Sequence, residues 1–166
     1  MKNLNITAKI QIYSYDELHP EEKKLIDCAK EACSNAYAPY SQFQVGAAVL
    51  LANGEIIAGS NQENVAFPSG LCAERTALFY ANSQYPKQAV QSLAVAAYTQ
   101  DDFIDRPISP CGACRQVILE TEIRFQCPIR IFLYGKTEIY CIDGIKDLLP
   151  LAFNSIVTSD ENKLAY

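Results

Sequence analysis

Two short segments hold the residues whose types and spacing can do chemistry: Cys72-Ala73-Glu74-Arg75 and Pro110-Cys111-Gly112-Ala113-Cys114-Arg115-Gln116. Cys72 and Cys111 are 39 positions apart. A Cys-x-x-Cys pair at a helix start points two sulfurs at one metal ion. The unpaired N–H groups and dipole at that helix end favour thiolates. Cys72 can supply a third thiolate from a facing helix. Three protein ligands leave the fourth tetrahedral position for water, the pattern of a catalytic zinc. Glu74 cannot easily share the metal with Cys72, two residues away, but it can reach such a water and move its protons. Three thiolates on one Zn²⁺ leave a net negative charge, which would make the water less acidic. Arg75 is expected behind the ligands to compensate, with Arg115 as a second candidate.

Other readings of the same residues are open. A Cys-x-x-Cys pair also forms half of a structural zinc site or a redox couple, and Cys127 or Cys141 can complete a four-thiolate site. Glu74 separates these readings, because a structural site has no use for an acid. The chain has seven cysteines and one histidine. Cys28 and Cys33 read as core thiols on a helix, Cys127 and Cys141 as inert, and His19 as a helix-start residue.

The two segments must be positioned by elements that the pattern of apolar residues marks out. Residues 7–13 alternate and read as an extended arm. Residues 16–36 read as a helix, with Pro20 in its first turn and Pro39 as its stop. Residues 43–52 read as a strand, and Asn53-Gly54 turns it back into a pairing strand at 55–60. A helix is expected at 71–82, a buried strand at 92–98, a second site helix at 111–121, and a buried strand at 129–134. Residues 139–142 read as a last, edge strand, followed by a short helix at 145–149. The buried strand between the two site helices brings their starts to one end of the sheet, where open α/β sheets place their sites. The fold class is α/β: a three-layer α/β/α sandwich around a mixed, mostly five-stranded sheet.

At 166 residues one domain is expected. The net charge is −5 and the basic residues are scattered, which disfavours a polynucleotide partner. No apolar run approaches the ~20 residues needed to span a bilayer. The start, Met1-Lys2-Asn3-Leu4-Asn5, lacks the apolar stretch of an export signal, so a cytoplasmic protein without disulfides is expected.

Around the two segments the chain resembles the cytidine deaminase family. Asn61-Gln62-Glu63-Asn64 resembles that family's Asn-x-Glu-Asn, and Tyr40 to Ala48 resembles its strand with a base-contacting Phe. Leu148 to Phe153 resembles a C-terminal motif whose Phe reaches a neighbouring subunit's site. The match runs in order from about residue 25 to 153. Polynucleotide and base deaminases of the wider superfamily usually carry His where Cys72 stands, so the resemblance is to the three-cysteine, free-nucleoside branch. It implies Zn²⁺ on Cys72, Cys111 and Cys114, with Glu74 catalytic. It also implies substrate contacts by Phe43, Asn61, Glu63 and Ala73, and by Phe153 from a neighbour in a homotetramer, in which residues 65–67 also serve a partner's sugar pocket. The implied reaction is hydrolysis of cytidine and 2′-deoxycytidine to the uridines and ammonia, in pyrimidine salvage. Alternatives are a deaminase of a cytosine-nucleoside antibiotic and a non-enzymatic structural-zinc or redox module. Three features depart from the family. Phe67 stands where many relatives have Tyr, residues 85–107 form a longer stretch, and the arm 1–15 and tail 154–166 have no implied role.

Overall fold

In the computed structural model, which describes residues 1–154, the alternating N-terminal arm becomes a strand only over Gln11–Tyr13 (β1). A 3-10 turn at Tyr15–Glu17 leads to the helix Pro20–Ala32 (α1). The hairpin expected around Asn53-Gly54 follows, as Gln44–Leu51 (β2) and Ile56–Ser60 (β3). Next come Ala73–Gln84 (α2), Val90–Thr99 (β4), Asp102–Phe103 (β5), Gly112–Phe125 (α3), Arg130–Tyr134 (β6) and Ile139–Asp143 (β7). A 3-10 turn at Ile145–Asp147 closes the described elements. The tail expected without a role lies, beyond Asn154, outside the described residues.

The sheet has seven strands in the order β1-β7-β6-β4-β2-β3, with β5 folding back on the end of β4. Among the strands of the described residues only β4 and β6, joined by α3, pair in parallel. β7 is therefore not the edge: its outer side pairs with β1, Gln11 opposite Cys141 and Tyr13 opposite Ile139. The count exceeds five because of β1 and β5. Gln100 and Asp101, between β4 and β5, both have positive φ, as a two-residue hairpin turn of the I′ type requires. Asp tolerates that conformation, but Gln gives no such sign in the sequence. The helix expected from Asp16 begins at Pro20 instead. Proline fits the first helical position, and the Glu22 carboxylate accepts the His19 N–H at 2.9 Å, so the helix is closed off there.

β4 is buried on both faces, and its alternation divides the core into two layers. Leu93 and Val95 face the layer of α2 and α3, while Ala94 and Ala96 face α1. Two glycines let the helices come close enough to seal these layers. A Cβ at Gly46 would overlap the Ala29 carbonyl oxygen of α1. A Cβ at Gly59 would stand 2.6 Å from the Ala77 nitrogen and 3.0 Å from the Ala73 oxygen. The first turns of α2 thus lie directly on β3, and that contact fixes where Cys72 begins the helix.

α3 is tied down at its far end by a buried acid. Glu122 Oε1 accepts the N–H of Ile129 at 2.9 Å and of Ile145 at 3.0 Å. Both donors are fully buried, so removing the acceptor strands two amides. Glu122→Ala should lower the unfolding free energy by about 2–4 kcal/mol. Glu122→Gln keeps an accepting oxygen and should cost much less. Burial raises the Glu122 carboxyl above its ordinary 4.5. Its contribution is therefore present below 4.5 and lost as pH rises through the folded value. Urea unfolding should show the stability of the natural protein relative to Glu122→Gln declining as pH is raised from 4.5.

Candidate active site

Cys72 and Cys111 are each the residue that caps a helix start, of α2 and α3 respectively, and both have extended backbones. Cys114 lies in the first turn of α3. The sheet therefore does what the sequence led one to expect and brings the two starts together. Cys72 Sγ is 3.7 Å from Cys111 Sγ, and Cys111 Sγ is 3.5 Å from Cys114 Sγ. All three sulfurs lie within 4.8 Å of one another. Four ligands placed tetrahedrally about a zinc at ~2.3 Å from sulfur stand roughly 3.8 Å apart. The donor set thus has the spacing and softness that a thiolate-bound zinc needs. Cys28, Cys33, Cys127 and Cys141 belong to no such cluster among the described residues, and His19 is exposed at the start of α1.

The electrostatics suit thiolates. Cys72 is pushed down to about 5, first by the hydrogen bond from Cys114 and then by Arg75 and Cys111, against the opposing effect of burial. Cys114, the donor in that pair and itself buried, is pushed strongly up. Without a metal, then, negative charge is favoured on Cys72 over Cys114. Arg75 NH2 reaches Cys72 Sγ at 3.4 Å, the position the sequence assigned it. Arg115 does not join the sulfurs; its guanidinium goes to two backbone carbonyls. Glu74 is buried beside the cluster, and burial, followed by the Cys72 charge, raises its carboxyl. A carboxyl raised in this way beside a metal position is suited to proton transfer.

A cleft of about 360 Å³ opens against Cys72 and Arg75, and Tyr40, Asn61, Glu63 and Phe67 line it. Asn61 and Glu63 shape this wall as well as lining it. Asn61 Oδ1 accepts the Val45 N–H at 2.8 Å and Asn61 Nδ2 donates to the Phe43 carbonyl at 2.9 Å. Glu63 Oε2 accepts the N–H of Tyr40 at 2.9 Å and of Ser41 at 3.3 Å. Ser41 and the Tyr40 amide hold its carboxyl below the usual range. Between them the two side chains fix the loop that carries Phe43. Phe43 is half-buried and does not line the cleft, and Ala73 is fully buried under the first turn of α2. Phe153 does not line the cleft; it is exposed, and its carbonyl accepts from Gln116 of α3 at 2.7 Å.

Sequence reasoning missed the roles of Tyr40, Gln62 and Leu71. Tyr40 meets Phe67 edge-to-face, with ring centroids 6.0 Å apart. Gln62 and Leu71 exchange two backbone hydrogen bonds, at 2.8 and 2.9 Å, which close residues 63–70 into a loop over the cleft. Tyr40 sits inside a recognised motif and was open to detection there. The Gln62–Leu71 bridge uses backbone groups alone and leaves no residue signature.

The sequence signature described as "Cytidine and deoxycytidylate deaminase zinc-binding region" matches residues 19–126. The chain belongs to this family. A cytidine deaminase of Halalkalibacterium halodurans is 41% identical over 143 residues, covering 81% of this chain and 96% of the relative. A crystal structure of a cytidine deaminase from Burkholderia pseudomallei superposes with a TM-score of 0.67 at 38% identity, over 78% of this chain and 97% of that one. A blasticidin-S deaminase of Bacillus cereus is more distant, 29% identical over 136 residues. The family's zinc-binding region thus spans both cysteine segments and Glu74. Among the described residues no helix is long and apolar enough to cross a membrane.

A titration of the metal-free protein tests the site's electrostatics. The thiolate absorbance of Cys72, taken as the difference from Cys72→Ser, should be lost as pH falls through about 5. Arg75→Ala should move that midpoint upward. Because the Cys72 value is depressed from 9.0, its contribution to stability is full above 9.0 and is lost as pH falls towards about 5.

Proposed function

We propose that this chain is a zinc-dependent hydrolase that converts cytidine and 2′-deoxycytidine to the corresponding uridines and ammonia. The observation that carries the reading is three sulfurs at tetrahedral spacing around a position beside a buried acid, in a chain of the cytidine deaminase family. Cys72, Cys111 and Cys114 hold the zinc, which when bound supplies Lewis acidity and makes a coordinated water acidic near neutral pH. Glu74 takes one proton from the attacking water and gives it to the ring nitrogen as the C4–O bond forms; it then takes the second proton from the new C4 hydroxyl and delivers it to the amine, which leaves as ammonia while the C4 carbonyl forms. Water is consumed and ammonia is released, so the proton count closes. Arg75 offsets the charge of the thiolates. Phe43 packs against the base. Asn61 keeps one amide hydrogen, and Glu63 keeps Oε1, beyond the bonds that fix the Phe43 loop; these are what a sugar hydroxyl meets. Ala73 completes the pocket floor through its backbone. With Phe67 in place of Tyr, the sugar's 5′ end loses a hydroxyl partner.

The same reading includes a homotetramer with shared sites, working in the cytoplasm in pyrimidine salvage. Its support is apolar exposure: Val65, Phe67, Leu151 and Phe153 are all more than two-thirds exposed in the single chain, which favours burial against further copies. Phe153 then reaches a partner's base pocket. The substrate is a small molecule; no nucleic-acid polymer and no membrane takes part.

Ammonia release from cytidine, with and without a zinc chelator, tests the activity directly. Glu74→Gln should keep the fold and the metal and lose ~10⁴-fold or more in kcat, since the acid serves several proton steps and a single general acid/base typically contributes ~10²–10⁴-fold. Near-normal turnover would remove Glu74 from the chemistry. Mixing inactive Glu74→Gln chains with impaired Phe153→Ala chains should restore part of the activity, because each defect then lies on a different chain of a shared site. Mixtures no more active than their parts would refute the shared site.

A further inference from the structure

Arg115 follows Cys114 directly, yet its charge is not directed at the sulfurs. Its Nε donates to the Pro110 carbonyl at 2.7 Å and its NH1 to the Leu148 carbonyl at 2.6 Å. Pro110 and Leu148 are both buried, and among the described residues Arg115 forms no ion pair with an acid. A guanidinium is a rigid planar fork, so two short bonds to two carbonyls fix the distance between them. One carbonyl belongs to the residue immediately before Cys111. The other ends the 3-10 turn Ile145–Asp147. Glu122 holds that turn's first amide, the N–H of Ile145. Arg115 and Glu122 are seven residues apart on α3 and so lie on one stripe of the helix. The turn is thus gripped at its amide end by an acid and at its carbonyl end by a base. The next residue of α3, Gln116, holds the Phe153 carbonyl at 2.7 Å.

We propose that Arg115 is a positioning residue for the metal centre, its fork locking the Pro110–Cys111 loop against the C-terminal segment. Cys114 is placed by the helix itself, but Cys111 sits at the cap and is exposed. The Pro110 carbonyl is the handle by which Cys111 is kept at its distance from Cys114. The C-terminal segment acts as a strap whose turn, through Leu148, forms the far wall of that clamp. Arg75 and Arg115 then divide two tasks, charge for the first and geometry for the second.

The proposal rests on the metal reading of Cys72, Cys111 and Cys114, and the experiment separates the two. Zinc-loaded natural protein, Arg115→Ala and Arg115→Lys are mixed with excess chromogenic chelator and the rate of zinc release is followed. Loss of an outer partner of a metal ligand typically weakens metal affinity ~10–100-fold. Both variants should release zinc about 10–100-fold faster, with unchanged far-ultraviolet circular dichroism. Lys keeps the charge but cannot span both carbonyls, so release from Arg115→Lys at the natural rate would overturn the clamp in favour of a charge effect. Hydrogen exchange on the metal-free proteins provides a readout that needs no zinc: amides of residues 111–114 and 145–149 should exchange faster in both variants. Unchanged exchange there, or unchanged release, overturns the role of Arg115. Natural protein that takes up no zinc overturns the metal reading itself, and the exchange result then stands alone for the clamp. If Arg115→Ala fails to fold, Arg115→Lys carries both measurements.

Discussion

Three sulfurs held within 4.8 Å of one another repel as soon as they ionise, and the rest of the structure depends on how that repulsion is met. Two full charges 3.7 Å apart repel by about 4 kcal/mol at an effective dielectric of 20. In the metal-free cluster charge is favoured on Cys72, while Cys114 beside it is pushed strongly up. Only a cation at the centre lets all three ionise together. Two helix starts and the Arg75 guanidinium offset what negative charge then remains. The same field explains Glu74. Burial and a nearby negative sulfur both raise its carboxyl above the ordinary carboxylate range.

The fold positions this cluster through a few contacts. β4 runs between the two site helices, and Gly59 lets α2 lie against β3 without an intervening side chain. α3 is gripped by Arg115 near the sulfurs and by Glu122 seven residues later; the two side chains lie on one stripe and hold one 3-10 turn between them. The loop that carries Phe43 is held from the side by Asn61 and Glu63. Residues that line the cleft therefore also carry structural load, and a substitution at Asn61 changes the position of Phe43 together with any direct contact to a ligand.

How much of this could be read from the sequence follows from which groups carry the information. The cysteine spacing and Glu74 were legible because helix-capping thiols and an acid two residues on are side-chain features at fixed offsets. The β2–β3 hairpin was legible from Asn53-Gly54, and the α/β/α layering from the continuous apolar run of β4. The end of the sheet was not: β1 pairs with β7 over three residues, and nothing in Gln11-Ile12-Tyr13 names its partner. β5 was hidden because Gln100 takes positive φ without the usual Gly or Asn. The start of α1 was misread by four residues because Asp16 and Glu17 belong to a separate 3-10 turn, while the decisive bond is the one from the His19 amide to Glu22. Asn61 and Arg115 were both noticed as polar residues near the site. Their actual partners are backbone carbonyls and amides brought in by folding, which no spacing rule reveals.

The central claim is that three thiolates, and no more, hold a zinc with one position left for solvent. X-ray absorption at the zinc edge of the purified, zinc-loaded protein tests it most directly. The account predicts one zinc per chain with about three sulfur neighbours at ~2.3 Å and one oxygen at ~2.0 Å. Four sulfur neighbours, or a nitrogen neighbour from His19, would contradict it.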